Sequence, residues 1–119
     1  MRIYLAGPMT GHPQFNFPAF DAAARALRQR GHEVFSPAEE DRRNGFNPEG
    51  LTGHEDLAEI GFSLRHALQT DLSWICESAA AVVYLPGIRH SRGAQAEIAT
   101  ANALHLPVYP IAHALELSC

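Results

Sequence analysis

Residues 79–104 read AAAVVYLPGIRHSRGAQAEIATANAL, and this stretch decides the fold. Ala79 to Leu85 is a continuous apolar run, rich in β-formers, that stops at Pro86-Gly87, which predicts a strand buried on both faces. The residues from about Gly93 to Leu104 then predict a helix, with Ala94, Glu97, Ala101 and Leu104 sharing one face. A strand, a short loop and a helix form one βα unit. Outward from it the same alternation continues. Downstream, Pro107-Val108-Tyr109-Pro110-Ile111 predicts a last strand, and upstream Ser63 to Glu77 predicts a helix. Near the start, Ile3 to Ala6 is a strand ended by Gly7-Pro8. Pro18 to Arg30 follows as a helix with Phe20, Ala23, Ala24 and Leu27 at i, i+3, i+4, i+7 and Gly31 as its C-cap. Glu33 to Ser36 is a short strand closed by Pro37, and the polar segment from Ala38 to Phe62 predicts a long loop with room for one helical turn. Strands that are continuous apolar runs, alternating with helices, predict a parallel sheet of four to five strands with helices on both faces. The expectation is one small doubly wound, flavodoxin- or Rossmann-like α/β domain over residues 1–119.

Composition narrows the chemistry. The chain of 119 residues is 46% hydrophobic and 18% charged, which suits one packed core. All 9 of its basic residues are arginine, so there is no Schiff-base lysine, phosphate-loop lysine or lysine general base. A net charge of -4 with scattered arginines lacks the footprint of a nucleic-acid binder. The apolar run before Gly7 is too short for a signal peptide or a membrane span, so a cytoplasmic protein without membrane partners is expected. Cys76 and Cys119 form no disulfide or metal pattern, and Cys76 is expected to be a core thiol. His54-Glu55-Asp56-Leu57-Ala58 begins like a zinc-protease helix but has alanine where the second histidine is required. No metal and no cofactor are expected.

Ligands of such sheets bind beyond the carboxyl ends of the strands, which points to the loops after Ala6, Ser36 and Leu85. Arg89-His90-Ser91-Arg92-Gly93 leads directly into a helix, so free N–H groups, the helix dipole, a hydroxyl and cations converge where a phosphate could bind. The alternative is that Ser91 is only an N-cap and the arginines are solvated. Two acids sit where helices should be apolar. Asp71 continues the stripe of Leu64, Leu68 and Ile75, and Glu97 lies among the alanines of its helix. A carboxylate in an apolar face is paired, capping or catalytic, and two beside one pocket favour catalysis. A pair of acids is the equipment of glycosidic bond cleavage. Phe15, Phe17 and Phe46 lie in loops, where an aromatic can stack on a base or pack against the first helix.

Ile3-Tyr4-Leu5-Ala6-Gly7-Pro8-Met9, the Asp71 helix before a strand, and Ser91-x-Gly93-Ala94-x-x-Glu97 before a Pro-Val strand resemble the nucleoside 2-deoxyribosyltransferase superfamily, which includes the 2'-deoxynucleoside 5'-monophosphate N-glycosidases. Asn16-Phe17-Pro18-Ala19-Phe20, Ser36-Pro37-Ala38-Glu39 and Leu85-Pro86-Gly87 are closest to its short phage-associated and bacterial branch. The resemblance implies Glu97 as the nucleophile on C1', Asp71 as the residue that orients the sugar or protonates the base, and Tyr4 as the tyrosine that positions Glu97. Gly7, Pro8, Met9, Asn16, Phe17, Arg89, His90, Ser91, Arg92 and Gly93 are the expected substrate-binding residues. Family transferases of free nucleosides resemble one another in carrying an acid where Ser91 stands, so a 5'-monophosphate is the expected substrate. Base exchange by a transferase and a non-catalytic nucleotide-binding module on the same scaffold are the alternatives. The resemblance also implies a homodimer or larger assembly. The family's C-terminal segment is reduced here to Ala112 to Cys119, and the Ala38 to Phe62 segment has no clear counterpart, so base selectivity is not read from it.

Overall fold

The computed structural model describes residues 1–117. Four parallel strands form one sheet, β1 (Arg2–Ala6), β2 (Glu33–Phe35), β3 (Ala81–Tyr84) and β4 (Val108–Pro110), in the order β2-β1-β3-β4. β1 pairs with β3 over Ile3 to Ala6 and with β2 from Arg2 to Tyr4. The helices are α1 (Phe17–Gln29), α2 (Pro37–Arg43), α3 (Leu64–Ser78), α4 (Arg92–Ala103) and the short α5 (Ile111–Ala114). Each predicted strand and long helix is present within a few residues of its expected ends, which is the usual scatter of element boundaries.

Alternation along β1 sends its side chains to two cores. Ile3 and Leu5 pack with Phe17, Phe20, Ala24 and Leu27 of α1 and with Ala114 of α5. Tyr4 and Ala6 pack on the opposite face with Ile75 of α3 and Ala94 and Ala101 of α4. β1 and β3 are therefore buried on both faces, which is why their sequences read as unbroken apolar runs.

Four expectations are corrected. The Ala38 to Phe62 segment, expected to hold at most one helical turn, begins with the seven-residue α2. Its signals are Ser36 in extended conformation as N-cap, Pro37 in the first turn, Glu39 and Glu40 near the N-terminus and Arg42 and Arg43 at the C-terminus, which match the helix dipole. Bidentate pairs from Arg28 to Glu39 and from Arg42 to Asp21 tie it to α1. Cys76 is exposed rather than in the core, since it is one residue beyond Ile75 and so about 100° off the buried face of α3. Leu64 opens the same stripe but, as the first residue of α3, is 61% exposed, and Leu104, past the end of α4, is 43% exposed. Cys119 lies outside the described residues.

Two loops are clipped together beyond the sheet. Gly11 N–H donates to the Gly53 carbonyl at 2.8 Å, and Gln14 N–H donates to the Leu51 carbonyl at 2.9 Å. The Glu55 carboxylate accepts from the N–H groups of Thr52 and Gly53, both at 2.9 Å, which shapes the second loop for this contact. Gly53 has φ +94°, and a Cβ there would clash with the His12 carbonyl oxygen. Gly53→Ala is therefore expected to lower stability by about 2 kcal/mol or more, through a disfavoured φ together with a clash against backbone. Urea denaturation measures this, and a loss within experimental error would show that the two loops are not held together.

Candidate functional site

The cavity lies beyond the carboxyl ends of the strands, where chain order reverses between β1 and β3. Its volume is about 570 Å³, within the range of sites for small molecules. The loop after β1 contributes Gly7, Pro8, Met9, His12 and Phe15; α1 contributes Phe17; α2 contributes Asp41; and the N-terminal half of α3 contributes Leu64, Ala67, Leu68 and Asp71. The loop after β3 supplies Gly87, His90 and Ser91, and α4 supplies Arg92, Gly93, Ala94 and Glu97. Phe46 and Phe62 close one side.

Sequence reasoning thus brings most of its residues to one place. Tyr4 lies behind the wall, fully buried, with its hydroxyl donating to Glu97 Oε2 at 2.6 Å. Its ring packs in a cluster with Phe35, stacked at 5.6 Å, and Trp74 at 6.4 Å, which themselves stack at 5.1 Å, so the hydroxyl is aimed by packing. Asn16 does not line the cavity. Its side-chain amide donates to the Pro8 carbonyl at 2.8 Å and fixes the loop that does. Arg89 is exposed outside the lining. Ser91 caps α4 by accepting from Ala94 N–H at 3.2 Å while also lining the cavity. The first two N–H groups of α4, on Arg92 and Gly93, have no acceptor among the described residues.

The loop after β1 is strained. Gln14, Phe15 and Asn16 have φ values of 54°, 51° and 66°, and left-handed backbone costs a non-glycine residue about 1–2 kcal/mol. Burial of Phe15, the Asn16 amide bond and the clip at Gln14 offset that strain. The outcome is a fixed cavity wall whose aromatic rings meet edge-on or tilted: Phe46 lies 5.7 Å from Phe15, 5.6 Å from Phe17 and 5.2 Å from Phe62.

Three buried carboxyls face this space. Asp41, Asp71 and Glu97 are 5%, 7% and 6% exposed, and Asp71 Oδ1 has no hydrogen-bond partner among the described residues. Burial pushes Asp41 up to about 7, helped by the charges of Asp71 and Glu40. Burial also raises Asp71 to about 7 and Glu97 to about 8, in each case partly offset by the Tyr4 hydroxyl. Tyr4 itself is pushed well above its ordinary value by burial and by the charges of Glu97 and Asp71, so it stays a donor. Asp41 was missed in the sequence because it stands in a charged run, Glu39-Glu40-Asp41-Arg42-Arg43, that reads as a solvated face. Its only signal is the helical phase that groups it with buried Pro37 and Ala38. No three His, Cys, Asp or Glu among the described residues are arranged to hold a metal, and no described helix is long and apolar enough to cross a membrane.

The fold and the cavity together describe a small parallel α/β domain with a strand-end pocket of buried acids. The family model described as a domain of unknown function, DUF4406, matches residues 1–110, and the chain belongs to that family. No curated protein matches the sequence.

The acids also set how stability varies with pH. Carboxyls titrate near 4 in an unfolded chain, so between about 4 and 8 the folded protein binds more protons, and stability falls as pH rises through that window. The melting temperature is expected to be lower near pH 8.5 than near pH 5 by at least about 5 °C. Asp71→Asn should flatten that slope. Thermal denaturation followed by circular dichroism at the two pH values tests both, and a wild-type melting temperature that rises with pH contradicts the placement of the acids.

Proposed function

We propose that this protein is a cytoplasmic N-glycosidase that hydrolyses the bond between base and sugar in a deoxynucleoside 5'-monophosphate. The observation that carries this reading is the group of buried carboxyls, one of them held by Tyr4 at 2.6 Å, between the start of α4 and an aromatic wall. The resemblance of the strand-one, Asp71 and Ser91-to-Glu97 motifs to the nucleoside 2-deoxyribosyltransferase superfamily supports the same assignment of roles.

The arrangement suits a double displacement. Glu97, ionised, attacks C1' of the sugar, and as the C1'–N bond breaks its electron pair goes to the base, which takes a proton from Asp71. A sugar ester of Glu97 results. Water then attacks C1', gives its proton to the Asp71 carboxylate and releases Glu97 as carboxylate. The products are the free base and the sugar 5-phosphate. The hydrogen bond from Tyr4 favours charge on Glu97 and the bare Asp71 Oδ1 favours a proton on Asp71. Burial nonetheless lifts Glu97 to about 8 and Asp71 only to about 7, so the reactive form is the less populated arrangement of the one proton the pair holds between those values. The phosphate is taken by the unpaired N–H groups of α4 with Ser91, His90 and Arg92, an anion site without lysine. The exposed Leu64 at the cavity edge suits cover by a second copy, and a homodimer belongs to the same proposal.

Release of free base from deoxynucleoside monophosphates, followed by chromatography, tests the assignment. Glu97→Gln is expected to lower kcat by about 1000-fold or more, because an amide is neither nucleophile nor leaving group. Nucleosides lacking the phosphate should react more slowly, and a preference for them would reject the phosphate site. Transfer to an added base in place of hydrolysis would assign the transferase reaction instead. Because turnover needs one acid ionised and another protonated, the rate should be bell-shaped with its maximum between about 7 and 8, falling below as Glu97 gains a proton and above as Asp71 loses one.

A further inference from the structure

Asp41 is the buried acid that the steps above leave unused. It is 5% exposed and lines the cavity, and no described residue donates a hydrogen bond to its carboxyl. A buried polar group without a partner in a folded protein calls for a ligand or a proton. The arginine next to it in sequence does not serve it: Arg42 is paired with Asp21 and lies over the Phe17 ring at 5.0 Å.

The surroundings of Asp41 select a class of ligand group. Its backbone carbonyl accepts from Phe46 N–H at 3.0 Å, and both residues line the cavity, where the Phe46 ring meets Phe15, Phe17 and Phe62. A hydrogen-bonding carboxyl at the margin of an aromatic wall fits a planar heterocycle, its faces on the rings and its polar edge on the acid. A carboxylate offers only acceptors, whereas a protonated carboxyl offers one donor and one acceptor. The two forms therefore match different edges. Adjacent ring N–H and amino donors, as on guanine, pair with the carboxylate, and an edge with a donor beside an acceptor, as on adenine, pairs with the acid.

We propose that Asp41 reads the edge of the ligand's base, accepting a two-donor edge when ionised and a donor-acceptor edge when protonated. This rests on the nucleotide reading above and extends it to the choice of base. The charged groups around Asp41 are Glu40 on its own helix, Asp71 from α3 and Glu97 from α4, and His12, His90 and Arg92 line the same cavity. Burial with Asp71 and Glu40 places its titration near neutrality, so base preference changes within an accessible pH range.

Isothermal titration of the full chain with dGMP and with dAMP, at about pH 6 and about pH 8.5, tests the proposal. Taking the ratio of the two affinities cancels the titration of the phosphate and of groups that meet the sugar. The ratio in favour of dGMP is expected to rise about tenfold with pH in the wild type, the size of one good bidentate contact. In Asp41→Asn, whose amide keeps one donor and one acceptor at every pH, the ratio should stay constant. A wild-type ratio that does not move with pH overturns the proposal without recourse to any variant. A ratio that moves equally in Asp41→Asn overturns the role of Asp41 while leaving the nucleotide reading standing, and failure of the wild type to bind either nucleotide overturns both.

Discussion

The hydrogen bond from the Tyr4 hydroxyl to Glu97 Oε2 is buried between β1 and α4, and the cavity is organised around it. Tyr4 is fully buried, so its hydroxyl needs a partner, and Glu97 is 6% exposed, so its carboxyl needs a donor. Each satisfies the other. The contact joins residues 93 positions apart and fixes the depth at which α4 sits on the sheet. Alanines at 94 and 101 allow that close approach, which a larger residue on the buried face of α4 would prevent.

From this contact the remaining polar geometry follows. α3 packs beside α4 on the same face and brings Asp71 to the same end of the sheet. α2, tied to α1 by two bidentate arginine pairs, brings Asp41 from the other side of the cavity. Three acids in one desolvated space cannot all be ionised near neutrality, so the cavity holds protons as well as charge. That combination distinguishes it from a surface acidic patch. The start of α4, with Ser91 and Arg92, lines the same cavity and brings the positive end of a helix dipole to it.

The aromatic wall has a separate origin. Phe15 reaches the core only because three successive residues adopt left-handed backbone, and that turn is held by the loop containing Leu51 and Gly53. Phe46 and Phe62 flank this loop in sequence and come together at 5.2 Å across it. The segment that the sequence reads as a long polar loop with room for one helical turn is therefore one wall of the cavity.

The sequence by itself determined the order and type of the main elements, because unbroken apolar runs ended by Gly-Pro or Pro-Gly and helical stripes ended by glycine are local signals. It also marked Asp71 and Glu97, since an acid in an apolar stripe conflicts with its neighbours at helical spacing, and it identified Tyr4 through motif resemblance. It singled out Phe15, Phe17 and Phe46 and allowed one helical turn after Pro37, but it did not reveal Asp41, the joining of those rings with Phe62 into one wall, or the exposure of Cys76. Asp41 is surrounded by charges in the chain, and its burial depends on how α2 packs against α1 and α3, elements distant in sequence. Cys76 differs from Ile75 only by one step of helical rotation, which matters once the sheet has chosen a face. Local propensity wrote the elements, and the tertiary packing decided which of the acids would be desolvated together.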